Sequence, residues 1–223
     1  MLPNHIFPNF GHMNIQAFVF NPFYENSYVL WDAAGHAIIV DPGCYEKYEL
    51  DELDAFIQSK QLTVVAVVNT HCHIDHVLGN DAVKNKYGVK LWVPTREKEV
   101  LDAIPAYAPS YGFTGYRAAE VDEWFDEGAL TFGTLTFQAI EVPGHSPGHM
   151  MFYHEPTKNL IGGDVLFRQS IGRTDLPGGN HEQLLKNIRE KVYTLPNDVT
   201  VYPGHGPETT IGFEKQHNPF VRG

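Results

Sequence analysis

An α+β fold, with two packed β-sheets flanked by helices, is what this sequence predicts. Three observations lead there. Strand-like and helical segments alternate through the first half, and much the same order returns in the second. Residues 62–68 form a β-branched, nearly continuous apolar run, which suits an interior strand covered on both faces. The 223 residues are 43% hydrophobic and 19% charged, so the chain can bury a sizeable core, and no low-complexity tract or charge block interrupts it. A single domain over residues 1–223 is the default.

Each element follows from local chemistry. Residues 13–20 and 26–32 read as strands parted by the turn-like Asn21-Pro22-Phe23, and residues 37–40 as a third, closed by Asp41-Pro42-Gly43. Within residues 46–58, Leu50, Leu53, Phe56 and Ile57 recur at helical spacing and predict an amphipathic helix. After the 62–68 strand, residues 77–87 read as a helix stopped by Gly88, residues 90–93 as a strand and residues 96–104 as a helix. The loop holding Tyr107, Tyr111, Phe113 and Tyr116 either rims a pocket or packs over the core. The second half offers strands at 129–132, 135–142, 150–154 and 159–162, a helix over 182–195, a strand over 199–202, and a tail (208–216) with room for one short helix.

Charge and cysteine content narrow the function. A net charge of −11 opposes phosphate backbones, because nucleic-acid affinity depends on Lys and Arg neutralising phosphates. Residues 1–8 lack a basic segment followed by a long apolar one, and no later window is apolar enough to span a bilayer. Two cysteines, Cys44 and Cys72, are too few for a disulfide framework, and buried thiols are their ordinary role. A soluble cytoplasmic protein without a nucleic-acid or membrane partner is expected.

The chemistry concentrates in Thr70-His71-Cys72-His73-Ile74-Asp75-His76, just after the apolar strand. In an extended segment His71 and His73 share a side while Cys72 faces the other way. Three further candidates follow strand-like segments beside glycines: His145 in Pro143-Gly144-His145, Asp164 in Gly162-Gly163-Asp164, and His205 in Pro203-Gly204-His205-Gly206. Residues without a β-carbon let the backbone turn sharply into a crowded site. His71, His73 and His145 make a nitrogen set of the kind that binds catalytic zinc. Asp75, His76 and His205 make a second set, and Asp164 has two oxygens able to bridge. Seven donors are too many for one ion and suit two.

With these motifs, and Pro143-Gly144-His145-Ser146-Pro147-Gly148-His149, the chain resembles the metallo-β-lactamase fold superfamily and, within it, the glyoxalase II (hydroxyacylglutathione hydrolase) group. The segment 163–179 resembles that of its short bacterial members. The resemblance implies an αβ/βα four-layer sandwich with metals in a groove along one sheet edge. It puts His71, His73 and His145 on one ion, Asp75, His76 and His205 on the other, and Asp164 between them, with Asp75 and Asp164 as catalytic carboxylates. Asp41 and His149 match positions whose partners orient a ligand through its other nitrogen. Arg173 either orients Asp164 or a substrate carboxylate, or is a buried structural arginine paired with Asp175. The tail beyond His205 is too short for the C-terminal helical domain that helps longer glyoxalase II enzymes bind glutathione.

The expected activity is hydrolysis of S-lactoylglutathione or a related acyl thioester by a metal-bridging hydroxide, with two divalent ions, Zn2+ foremost and Fe or Mn accepted by the same donors. A mononuclear iron glutathione persulfide dioxygenase, using the counterparts of His71, His145 and Asp164, is one alternative, and a lactonase or β-lactamase is another.

Overall fold

Adjacent residues of one strand go to different layers, and this alternation builds a sandwich. Val29, Ile39 and Val67 lie on the outer face of the first sheet, while their neighbours Leu30, Ile38, Ala66 and Val68 face the second sheet. In the second sheet Met150, Phe152 and Ile161 point into the middle layer, and Met151 and Leu160 point outward. Sequences apolar on both faces therefore fold as sheets covered on both sides. The computed structural model describes residues 11–223; the reading of residues 1–8 given above concerns residues outside that range.

The first sheet has the order β1 (Asn14–Phe20), β2 (Glu25–Trp31), β3 (His36–Val40), β4 (Thr63–Val68), β5 (Lys90–Pro94), β6 (Glu123–Phe125). The second runs β14 (Thr209–Thr210), β13 (Thr200–Pro203), β10 (Asn159–Gly163), β9 (Met150–His154), β8 (Leu135–Glu141), β7 (Gly128–Phe132). Both are mixed: β3, β4, β5 and β6 pair parallel, as do β10 and β13, and the other pairings are antiparallel. A small hairpin of β11 (Leu166–Phe167) and β12 (Ser170–Ile171) stands apart.

Helices close the outer faces. Leu53 and Ile57 of α1 (Lys47–Ser59), Val83 of α3 (Asn80–Tyr87), and Leu101 and Ile104 of α4 (Lys98–Tyr107) pack on the first sheet. Leu184 of α5 (His181–Asn187) and Ile211 of α6 (Ile211–His217) pack on the second. The result is the four-layer αβ/βα order. No helix among the described residues is long and apolar enough to cross a membrane.

Three elements differ from the sequence reading. The helix expected over 77–87 is two: α2 (Ile74–Val77) and α3, parted at Gly79, whose α-carbon abuts Cys44 and the Pro42 carbonyl so closely that a β-carbon would lie 2.6 Å from Cys44 Sγ. The helix expected over 182–195 ends as α5 at Asn187 and continues through a π turn to Val192. Strands β6, β11, β12 and β14 are two or three residues long and owe their existence to a neighbour rather than to a local pattern.

Candidate metal centre

Parallel pairing brings the C-terminal ends of β3 and β4 to one edge of the first sheet, and those of β8, β10 and β13 to the matching edge of the second. Every predicted donor lies on or just beyond one of those ends. His71 and His73 follow β4, Asp75 and His76 sit in α2, His145 follows β8, Asp164 follows β10 and His205 follows β13. Two glycines permit the approach. A β-carbon on Gly204 would lie 2.2 Å from Asp164 Oδ1, and one on Gly163, which has φ +47°, would lie 2.5 Å from His149 Nε2.

The donors gather into two sets. His71, His73 and His145 offer nitrogens within 4.8 Å of one another, and so do the donors of Asp75, His76 and His205. Asp164 reaches both: Oδ2 is 3.5 Å from His145 Nε2 and 3.5 Å from His205 Nε2, and Oδ1 is 3.5 Å from His76 Nε2. Cys72 faces away from the donors and packs in the outer core of the first sheet, as the strand alternation predicts.

Hydrogen bonds around the sets decide which nitrogen carries a proton in His71, His76, His145 and His205, whereas His73 meets His145, Nδ1 to Nε2, at 2.8 Å. His145 Nδ1 donates to the Arg173 carbonyl at 2.8 Å. The Thr70 hydroxyl donates to Asp41 Oδ2 at 2.5 Å, so at 3.0 Å from His71 Nδ1 it can only accept. His76 Nδ1 donates to Asp41 at 3.2 Å, and His205 Nδ1 to the carbonyls of Phe23 and Tyr24 at 3.1 and 3.2 Å. Neutral imidazoles so tied turn bare Nε2 atoms inward. His71 Nε2 and His145 Nε2 then face each other at 3.3 Å, and His76 Nε2 and Asp164 Oδ1 are buried with no hydrogen-bond partner. Converging lone pairs and orphaned buried acceptors are costly alone and fit cations between them.

Electrostatics separates the sets. Burial lowers the basicity of His71 and His145, and of His73 to about 3, so these nitrogens resist protonation. Burial also opposes charge on His76 and His205, but the carboxylates of Asp75 and Asp164 outweigh it and raise both. Burial would lift Asp75 and Asp164, yet the adjacent His76 holds both below the usual carboxylate range. The second set is an anionic hollow seeking positive charge.

The outer residues fall into place unequally. Asp41 lies within 4.8 Å of His71 and His76 donors, and its oxygens accept the Thr70 amide, the Thr70 hydroxyl and His76 Nδ1. His149 Nε2 accepts from the Asp164 amide at 2.9 Å. The Arg173 guanidinium pairs through two 2.8 Å bonds with Asp175 and does not engage Asp164; its main-chain carbonyl is what meets His145. The expected pairing with Asp175 is present, but at the surface rather than buried, the two side chains being 60% and 68% exposed.

Three side chains escaped the sequence reading. Glu97, fully buried, accepts the Cys72 amide at 2.8 Å and the Gly148 amide at 2.6 Å, joining the loop of His71 and His73 to the loop of His145 and His149. Asn26 donates to the carbonyls of Pro203 and Gly206, fastening the His205 turn to the first sheet. Glu25 is buried with Oε1 3.8 Å from His76 Nδ1, and burial raises its pKa. A lone Glu or Asn carries no local signal of such partners.

A cavity of about 790 Å³ opens beside the donors. Tyr107 and Tyr111 line it with Phe23, Ile74, Val100 and Phe167, whereas Phe113 is buried in the core, so the aromatic loop serves both expected purposes.

Fold, donor sets and sequence agree on the class: the chain belongs to the metallo-β-lactamase superfamily, whose profile matches residues 20–205, and is a metallo-hydrolase of that superfamily. It is 35% identical to the hydroxyacylglutathione hydrolase GloC of Haemophilus influenzae over 94% of this chain and 98% of that one. Among solved structures it is similar to the BLEG-1 B3 metallo-β-lactamase, with 40% identity, a TM-score of 0.85 and coverage of 94% and 100% of the two chains. TTHA1623, solved in a di-iron-bound form, matches with 32% identity and a TM-score of 0.82 over 92% and 100% of the two chains.

Proposed function

We propose that this protein is a glyoxalase II-type thioester hydrolase acting on S-lactoylglutathione or a related acyl thioester. The observation that carries the reading is Asp164 facing two donor sets, with the Nε2 atoms of His71, His76, His145 and His205 turned inward. In this reading His71, His73 and His145 would hold one divalent ion and Asp75, His76 and His205 a second, with Asp164 facing both. Two such ions would supply hydroxide at neutral pH and polarise a carbonyl. Zinc suits the nitrogen-rich donors, and the di-iron form of TTHA1623 supports iron as an occupant.

The chain's own part is positioning. Asp41 and the carbonyls of Phe23, Tyr24 and Arg173 keep the Nδ1 protons outward, so no tautomer must change when a cation enters. The apolar cavity wall excludes water and seats the substrate beside the donors. A thiol leaving group, with a pKa of roughly 8.5, departs as thiolate without a strong acid. The name of the Haemophilus influenzae relative supports the thioester class. Likeness to BLEG-1 favours β-lactam hydrolysis as a second reading of the same site. A persulfide dioxygenase using His71, His145 and Asp164 leaves Asp75, His76 and His205 without a task. The net charge of −11 supports a small-molecule partner over nucleic acid, and two buried free thiols suit a reducing cytoplasm.

Metal analysis beside a panel of thioesters, lactones, β-lactams and glutathione persulfide tests the reading. Thioester turnover rising with metal content up to two ions per chain is the expected result. One iron per chain with oxygen uptake on persulfide, or turnover confined to β-lactams, would overturn it.

A further inference from the structure

The turn Asn21-Pro22-Phe23 does more than reverse the chain between β1 and β2. Asn21 is buried and has φ +52°, a left-handed conformation that Asn tolerates better than most residues. Its side-chain oxygen accepts the Phe23 amide at 3.0 Å, and an amide N–H can only donate, which fixes the orientation of the carboxamide. The amino end then points at carbonyls, donating to Gly43 at 3.1 Å and to Asp75 at 3.0 Å. Gly43 permits this approach: a β-carbon there would lie 2.7 Å from Asn21 Nδ2 and 2.6 Å from the Asp75 carbonyl oxygen. The Asn21 main-chain amide is itself anchored on Glu49, in the first turn of α1, at 2.6 Å.

Two donors of the mixed set meet at this residue. Asp75 is held through its carbonyl. His205 is held through Nδ1 by the carbonyls of Phe23 and Tyr24, in a turn that the Tyr24 amide closes onto the Asn21 carbonyl at 3.1 Å. The two side chains face each other, His205 Nε2 lying 3.1 Å from Asp75 Oδ2. The histidine set has other anchors, the Thr70 hydroxyl beside His71 and the Arg173 carbonyl on His145, and Asn21 bonds to neither. We infer that Asn21 is a positioning residue for the mixed set, fixing the spacing of Asp75 and His205 from one turn. The inference rests on the two-ion reading and is independent of which substrate is hydrolysed.

The test titrates the metal-free full chain with zinc against a chromophoric chelator, which yields a dissociation constant for each ion. Asn21→Gly is the variant, because glycine accepts φ +52° and only the side chain is lost. One constant is expected to rise roughly tenfold while the other stays within about twofold. In a His205→Ala background, where the histidine set is the intact one, Asn21→Gly should leave the remaining constant unchanged. A merely structural role would lower the urea midpoint of the metal-free chain and keep the ratio of the two constants as in wild type, and that result overturns the inference. So does a comparable rise of the remaining constant in the His205→Ala background. A wild-type chain that binds fewer than two zinc ions sinks the two-ion reading and the inference together.

Discussion

The two donor sets sit side by side and are built on opposite principles. The histidine set has no carboxylate of its own, and His71 and His145 are almost completely buried. The mixed set owns Asp75, borrows Asp164, and leaves the His205 side chain 28% exposed on the cavity side. Burial makes the first three imidazoles poor bases, whereas carboxylates make His76 and His205 better ones. An ion entering the histidine set therefore meets weakly basic nitrogens, and one entering the mixed set meets more basic nitrogens beside carboxylates. One set is preorganised by shape and the other by charge.

Substitutions can break this contrast, and Asp164→Ala should do most, because Asp164 alone faces both sets. Hydrolysis is expected to fall by roughly a thousandfold or more, with loss of bound metal measured by inductively coupled plasma mass spectrometry. A variant with full metal content and full activity would sink the assignment. His73→Ala and His205→Ala come next and should differ from each other. Each is expected to cost about one ion per chain and roughly a hundredfold in rate, with the remaining ion in the opposite set. Cobalt substitution reads this out, since the two variants should give distinct visible spectra; identical spectra would mean the sets are not separate sites.

Glu97→Ala tests what holds the histidine set in shape. Removing an acceptor of two buried amides should destabilise the fold by about 3 kcal/mol in urea unfolding and weaken metal binding at the histidine set first. Glu97→Gln, which keeps an acceptor, should recover part of both.

The smallest effect belongs to a residue remote from both sets. Buried Asp32 accepts amides from Ala34, His36 and Thr134 and joins the β2–β3 turn to the β7–β8 turn of the other sheet. Burial opposes its charge, but those bonds prevail and lower its pKa to about 2. A depressed carboxyl stabilises the fold above its unfolded pKa, near 3.9, and that contribution fades as pH falls through about 2. Asp32→Asn should thus cost roughly 2 kcal/mol at pH 7, with the gap to wild type closing below about pH 3 and metal content unchanged. Loss of metal in this variant would show that sheet docking and the donor sets are coupled.

The seven candidate donors stand out in the sequence because each lies in a short polar motif directly after an apolar strand, and the fold brings them together. The layers were legible too, from runs such as residues 62–68 that are apolar on both faces. Glu97 was not, since its partners lie 25 and 51 residues away and the surrounding sequence reads only as the start of a helix. Asn26 bonds across 177 residues and Glu25 hides inside an ordinary strand. For Arg173 the sequence offered two partners, and only the fold brings Asp175 into reach while turning the guanidinium from Asp164.

Each donor set draws on both halves of the chain: His73 and His145 are 72 residues apart, and Asp75 and His76 meet His205 from the far end of the fold. A bound ion is therefore a reversible cross-link between the two sheets, closing long loops much as a covalent staple would. Stripping such ions would release both sheets along the same edge, and that edge is where the sandwich should first come apart.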